Sequence, residues 1–409
     1  MTLSPEQVSG AKITAIKAME IAHLDTVYPV GQKQGRNVTR RTFIKVETNL
    51  GVSGYGPCGG SGRMARDVIA GLHTGWGRHM NLSLIGKDPL AIELHYQNMF
   101  REVPQRGNQV RILSGVDIAL WDLAGKLLGQ PVCKLLGGTF REWIPLYSHC
   151  PDAPPERYLD AGWWRETAQM LLEDPRGYRA FKVDSHHAFG AIIGQVVTSL
   201  GPREERNVAR MYALARESFG DDIDIIVHCH DELDLPSAVR VDRAVEPIDP
   251  LYYEDPLDIP YSDNWLALRR ATRLAIMTGE NLYGPEQVLP FLTNQAVDVL
   301  QPDLVNAGGI TGCKKMVDVA EAYRTPITLH NVSSWALGQA SQQFAAAIFN
   351  CPMIECLREA DQVAEAASNT PIIKDGKQKV SMLPGLGIDF DMEYMRAHMA
   401  EGEPWWGDE

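Results

Sequence analysis

Ile223-Asp224-Ile225-Ile226-Val227-His228 is the first of six segments in which a short, mostly apolar run ends in a single polar side chain. Leu251–Tyr253 ends at Glu254, and Leu274–Thr278, with Gly279, ends at Glu280. Val297–Leu300 leads to Asp303, Pro326–Leu329 to His330, and Pro352–Ile354 to Glu355. Successive polar ends lie 26, 26, 23, 27 and 25 residues apart. That period accommodates one strand, one helix and two short loops, so the stretch reads as a βα repeat. Parallel barrels built from such units carry their chemistry at the C-terminal ends of the strands. Two His and four carboxylates in phase at six strand ends therefore point to one shared mouth and an active site.

Working outward, Ile144–Tyr147 reads as a first barrel strand and Tyr178–Val183 as a second, carrying Lys182 and leading to Asp184. From Lys182 to His228 the chain runs 46 residues, about twenty more than one βα unit needs. The excess sits around Ser185–Thr198, which contains His186 and His187, and added length after a barrel strand is often functional. Before the barrel, Lys12–Ile21 and Thr42–Thr48 are rich in β-branched residues, and Asn49-Leu50-Gly51 turns into Val52–Tyr55 to make a hairpin. Helical patterns follow at Met64–His73, Pro89–Phe100 and Ser114–Leu128, the last with Val116, Leu120, Leu123 and Leu127 on one stripe. Gly129 and Pro131 end that helix. The spacing thus gives an α+β unit over residues 1–140, a barrel over 141–380, and a C-terminal segment, 381–409, that returns to the first unit with Trp405 and Trp406 as packing anchors. The polar, glycine-bearing segment His23–Arg41 has two readings, a flap over the site or an exposed connection. Cys58-Gly59-Gly60-Ser61-Gly62 lacks the Lys-Ser/Thr ending and βαβ frame of a phosphate loop, and reads as a loop before a helix.

Composition narrows the class. A hydrophobic share of 44% and a charged share of 22% are those of a soluble globular protein. A formal charge of -13 argues against nucleic acid or an anionic membrane as partner. Seven Cys with no CxxC pair read as reduced thiols. No apolar h-region follows Met1, and no apolar run is long enough to span a bilayer, so the expectation is a cytoplasmic protein.

Motifs extend across nearly the whole chain. They are Ser114-Gly115-Val116-Asp117-Ile118-Ala119-Leu120-Trp121-Asp122 with Leu135-Leu136-Gly137-Gly138, then Gly177-Tyr178 leading to Lys182. Tyr253-Glu254-Asp255-Pro256, Gly279-Glu280-Asn281, and Gln301-Pro302-Asp303 with Gly308-Gly309-Ile310-Thr311 follow. His330-Asn331 and Pro384-Gly385-Leu386-Gly387 close the set. In order and spacing the chain resembles the enolase superfamily, in its mandelate racemase branch, and the acid sugar dehydratases within it. The resemblance implies an α/β fold: a modified TIM barrel, (β/α)7β, with an N-terminal α+β capping domain. It also implies a divalent metal, usually Mg²⁺, homo-oligomeric assembly, and removal of a proton α to a carboxylate.

Such a proton is weakly acidic, because its removal places a second charge on the carboxylate; a divalent cation stabilises the resulting enediolate. A Lys or His base with bound divalent ions is the pattern already known for these sites. Glu254 and Glu280 match two family metal ligands, and His228 falls where the third, an Asp, is expected. Imidazole suits Mn²⁺, Fe²⁺ or Zn²⁺ better than Mg²⁺. Three readings stand: weak Mg²⁺ through the carboxylates and water, a softer ion, or a decayed site. Ligation by His228 would make metal affinity fall as pH drops through an ordinary imidazole pKa of about 6.5.

His330 and Asp303 match the family's dyad, in which the Asp fixes the imidazole tautomer of a general base. Glu355 matches an acid that hydrogen-bonds the substrate carboxylate; to donate it must be protonated, which Met353 and Ile354 as apolar neighbours favour. Lys182 keeps a position that touches the substrate carboxylate, and Asp184 stands where racemases carry a second Lys. Asp184 either pairs with Lys182 or meets a substrate hydroxyl. His230, two residues after His228, points the same way by strand alternation and matches the general acid of sugar-acid dehydratases. The expected function is a metal-dependent sugar-acid dehydratase acting on a small-molecule carboxylate. The alternatives are a 2-hydroxy-acid racemase or epimerase, and a non-catalytic acid-sugar-binding relative with a degenerate metal site.

Overall fold

The computed structural model describes residues 3–25, 37–74, 84–100, 107–332, 334–356 and 371–407. The chain begins with an antiparallel sheet, β1 (Ile13–Asp25), β2 (Asn37–Thr48) and β3 (Ser53–Cys58), in that order. β1 and β2 are longer than the β-branched runs predict, with register kept from Ala15–Glu47 to Asp25–Asn37. Both ends of the His23–Arg41 segment are therefore strand, and its centre, 26–36, lies outside the described residues.

The helix Asn108–Leu128 packs across this sheet, and Val116, Leu120, Leu123 and Leu127 form its buried stripe. A Cβ on Gly56 would lie 2.2 Å from the Gly115 carbonyl, so the sheet can approach the helix closely only because a glycine stands there. Gly129 closes the helix in the left-handed region at φ 63°. Two residues of the Ser114–Asp122 motif dock this unit on the barrel. The Thr311 N–H donates to Asp117 at 3.0 Å, and Trp121 Nε1 donates to the Thr311 hydroxyl at 2.9 Å.

Seven parallel strands follow: β4 (Trp143–His149), β5 (Ala180–Asp184), β6 (Asp224–His228), β7 (Tyr252–Glu254), β8 (Ile276–Thr278), β9 (Val299–Leu300) and β10 (Ile354–Cys356). Each pairs with the next up to β9, and β10 pairs with β4. The remaining position of an eight-stranded ring is filled by residues 326–329. Ile327 bridges Leu300, the Thr328 N–H donates to the Leu300 carbonyl at 2.9 Å, and the Glu355 N–H donates to the Leu329 carbonyl at 2.9 Å. The hydrogen-bonded ring thus closes through that segment. Barrel helices seal the outside with large buried side chains, among them Trp163, Trp164, Trp265 and Phe291. A hairpin, β11 (Ile373–Lys374) and β12 (Lys377–Lys379), pairs antiparallel with the first half of β4, beside the half that β10 occupies.

The added length after β5 is a tethered excursion. His186, Ala188, Phe189 and Ala191 are buried, Val197 bridges Leu233, and the Gly194 N–H donates to Glu232. Its tip exposes Ile192 and Val196, 71% and 74% accessible. The C-terminal segment lies on the first sheet: the Ala22 N–H donates to the His398 carbonyl at 2.7 Å, and Trp406 is buried beside Tyr55. The Leu386 N–H donates to Asp122 at 2.8 Å, and a Cβ on Gly385 would strike that carboxylate. All seven cysteines are free thiols. Among the described residues, no helix is long and apolar enough to cross a membrane.

Candidate active site

The C-terminal ends of the barrel strands bring all eight nominated side chains to one mouth. At its floor Lys182 is fully buried, with Nζ 2.6 Å from Glu355 Oε1 and 3.0 Å from Glu254 Oε1. Glu355 also takes a hydrogen bond from His149 Nε2 at 2.5 Å and from the Asn331 N–H at 2.8 Å. Burial raises the Glu355 pKa, but Lys182, His330 and His149 outweigh it and hold the carboxyl well below its ordinary value. The expectation of a protonated Glu355 is therefore corrected. The apolar neighbours are present, yet three cationic or hydrogen-donating groups face the carboxylate.

His330 Nδ1 is 2.7 Å from Asp303 Oδ2, and the other Asp303 oxygen accepts from the Val305 N–H at 2.7 Å and the Asn306 N–H at 3.3 Å. The carboxylate cannot rotate without losing those bonds, so it fixes the ring with Nδ1–H donated and Nε2 turned inward. Nε2 lies 3.1 Å from Glu280 Oε2 and 3.7 Å from Glu355 Oε2. Burial lowers the imidazole pKa, but Glu280, Glu355 and the Asp303 hydrogen bond raise it, to about 9.

His228, Glu254, Asp255 and Glu280 offer ligand atoms within 4.8 Å of one another. His228 Nε2, Glu254 Oε2 and Asp255 Oδ2 are each buried without a hydrogen-bond partner among the described residues, and Glu280 Oε2 has the ion-pair contact with His330 Nε2. Four converging lone-pair donors, three of them carboxylate oxygens, make an unfavourable cluster that a divalent cation would satisfy. The residues present fit a metal. Burial, opposed by Lys182 and helped by Glu355 and Glu280, raises the Glu254 pKa to about 7. Asp255 was not anticipated. Strand alternation turns it away from Glu254, but its φ of 44° is left-handed and returns the side chain to the same group, where Thr278 Oγ1 donates to it at 2.5 Å. The only signal in the sequence was a second acid directly before Pro256.

Asp184 does not pair with Lys182. Its Oδ1 lies 2.9 Å from His228 Nδ1 and 3.7 Å from His230 Nε2, since β5 and β6 place Asp184 opposite His228 in register. Lys182, two residues earlier on the same face of β5, serves the two glutamates. Burial, then His230 and Lys182, lowers the His228 pKa to about 3, so its ring is neutral. His230 reaches the mouth by another route than alternation: β6 ends at His228, and His230 follows at φ 53° with its ring centroid 3.7 Å from that of His228. Asp152, pushed up to about 8 by burial and by Asp184, hydrogen-bonds the Asp184 carboxylate.

The mouth opens on a cavity of about 320 Å³, walled by Lys182, His228, His230, Glu280 and His330. Gly59 and Arg111 of the first unit and Ile193 of the excursion after β5 form its outer wall. A second cavity of about 260 Å³ shares Arg111, Asn281 and Asn306 with it. Arg111 and His149 were both missed by sequence reasoning. Arg111 carried one weak signal, a lone cation between Val110 and Ile112 on an apolar helix.

Residues 164–394 match the family described as enolase C-terminal domain-like, and residues 30–137 match the mandelate racemase / muconate lactonizing enzyme N-terminal domain. A D-xylonate dehydratase from Haloferax volcanii is 30% identical over 88% of this chain and 86% of its own. A D-galactonate dehydratase from Ralstonia pickettii is 30% identical over 90% and 93%. Among solved structures, a mandelate racemase/muconate lactonizing enzyme-like protein from Rubrobacter xylanophilus superposes with a TM-score of 0.83 at 27% identity, covering 97% of this chain and 100% of its own. One from Sulfitobacter sp. gives 0.81 at 27%, covering 96% and 97%. With both halves matched in order, the chain belongs to the enolase superfamily, in its mandelate racemase / muconate lactonizing enzyme branch.

Proposed function

We propose that the protein is a metal-dependent dehydratase of a sugar acid, an aldonate or aldarate, giving a 2-keto-3-deoxy acid. The observation that carries this reading is one cavity walled by both a tautomer-fixed His330 and a second imidazole, His230. His228, Glu254, Asp255 and Glu280 would hold the cation, Mg²⁺ or, with imidazole among the donors, Mn²⁺ or another borderline ion. When bound there, it supplies charge stabilisation to the substrate carboxylate and neutralises the Glu280 charge that otherwise keeps a proton on His330.

Lys182, on the cavity wall, offers its ammonium to the substrate carboxylate while Glu254 and Glu355 hold it in place. His330 Nε2 takes the proton from C2, and Asp303 stabilises the imidazolium that forms. The electron pair left at C2 forms the C2–C3 double bond as the C3–O bond breaks. His230 delivers a proton to the departing hydroxyl, which leaves as water, and the enol tautomerises to the keto acid. Racemisation needs a second base across from His330. Lys182 is engaged by two carboxylates and Asp184 by His228, so neither is free for that part.

The relatives named as D-xylonate and D-galactonate dehydratases support the substrate class. The test is incubation of metal-loaded protein with a panel of aldonates and aldarates, assayed for 2-keto acids. Keto acid from at least one substrate is expected. Deuterium exchange at C2 with inverted substrate and no keto acid would replace the reading with racemisation. Neither exchange nor product across the panel, with metal bound, would mark a binding protein.

A further inference from the structure

We infer that Asp184 and His228 act as one unit, in which Asp184 is a positioning residue that locks His228 in the tautomer whose Nε2 lone pair faces Glu254, Asp255 and Glu280. The inference rests on the proposed cation site and assigns a role to a residue outside it. These two positions are also where the sequence departs from the pattern it otherwise resembles, and they face each other across adjacent strands, Asp184 in β5 against His228 in β6.

The geometry gives the hydrogen bond a direction. A carboxylate only accepts, so the 2.9 Å contact between Asp184 Oδ1 and His228 Nδ1 puts the hydrogen on Nδ1. In a neutral imidazole the lone pair is then on Nε2. That atom is buried, makes no hydrogen bond, and lies 3.6 Å from Glu254 Oε1 and 3.9 Å from Asp255 Oδ2. The opposite tautomer would point an N–H at Glu254 and close the group against a cation. Asp184 is itself held, by the Asp152 side chain and with His230 Nε2 at 3.7 Å, while Ser185 Oγ donates to the His228 carbonyl and anchors the backbone of that strand end. Carboxylate partners of this kind orient metal-bound imidazoles, and their removal weakens metal affinity about 10–100-fold.

The experiment is calorimetric titration of Mn²⁺ into metal-free wild type, Asp184→Leu, Asp184→Asn, His228→Asp and the double variant Asp184→Leu/His228→Asp. Asp184→Leu should lose about 10–100-fold in affinity, and Asp184→Asn, which keeps an acceptor, should recover most of the loss. In the His228→Asp background no tautomer needs fixing, so Asp184→Leu should leave affinity unchanged or improve it. Nitrogen-15 NMR of the metal-free wild type should show His228 protonated at Nδ1 and bare at Nε2. A wild-type His228 protonated at Nε2 would overturn the inference even if Asp184→Leu fails to fold. Equal losses in both backgrounds, or no loss in either, would overturn it while leaving the cation site intact. No Mn²⁺ binding by wild type would overturn the site and the inference together.

Discussion

Lys182 Nζ and Glu355 Oε1 lie 2.6 Å apart at the floor of the mouth, and neither side chain is exposed. With Glu254 3.0 Å away on the same ammonium, two buried carboxylates share one cation. Removing one partner of a buried pair leaves an uncompensated charge, which costs about 3–5 kcal/mol. Lys182→Met should therefore destabilise the fold by roughly that amount, measured by denaturant unfolding of the metal-free protein. A loss of under about 1 kcal/mol, typical of a surface pair, would show that the ammonium does not hold the floor together.

His330→Asn should abolish exchange of the C2 proton and leave the fold intact. Among the described residues His330 is the only imidazole whose Nδ1 is fixed by Asp303 while Nε2 faces Glu280 and Glu355. Loss of a general base costs roughly 10²–10⁴-fold. Exchange near the wild-type rate, followed by NMR in deuterated solvent, would redirect attention to Lys182.

His230→Asn separates the two halves of the reaction. With His330 untouched, exchange at C2 should persist, while keto-acid formation should drop by about 10²–10⁴-fold. If both fall together, His230 acts before the elimination and its role as the acid is wrong.

The barrel was legible because its signal is periodic: six polar strand ends at a near-constant interval mark strand, helix and loop whatever the side chains between them. The pairing of His330 with Asp303 and the convergence of Glu254 and Glu280 were legible for the same reason, since each closes a unit of the repeat. What escaped depends on distances that no spacing contains. Asp255 joins the group through left-handed backbone at φ 44°, and His230, though named, arrives by the same means at φ 53° and not by strand alternation. Arg111 enters the cavity from the other folding unit, and His149 from the end of β4, two residues beyond Tyr147, where the strand ends on the sequence alone. The ionisation of Glu355 was misjudged because its sequence neighbours are apolar while its spatial neighbours are Lys182 and His149. Asp184 found its partner across the sheet, not along the strand.

The pH dependence of metal binding distinguishes which ligand holds the competing proton. An ordinary imidazole at His228 would make affinity fall as pH drops through about 6.5. Burial and the neighbouring cations instead lower the His228 pKa to about 3, so it carries no proton to displace near neutrality. Glu254 is one group that does: burial and two neighbouring glutamates raise its pKa to about 7 against the pull of Lys182, and burial and the neighbouring acids raise Asp255 as well. Below that value the carboxyl is protonated and cannot ligate; above it the carboxylate is ready. Affinity should therefore rise with pH up to about 7 as Glu254 gives up its proton, and at about pH 8 the proton released on binding is the one that Glu280 keeps on His330. Calorimetry in two buffers of different ionisation enthalpy measures that proton directly. His228→Asp should keep the slope, whereas Glu254→Gln, which should also abolish turnover as exhaustive chelation does, should flatten whatever affinity remains. A slope that survives Glu254→Gln and vanishes in His228→Asp would return the titration to the imidazole.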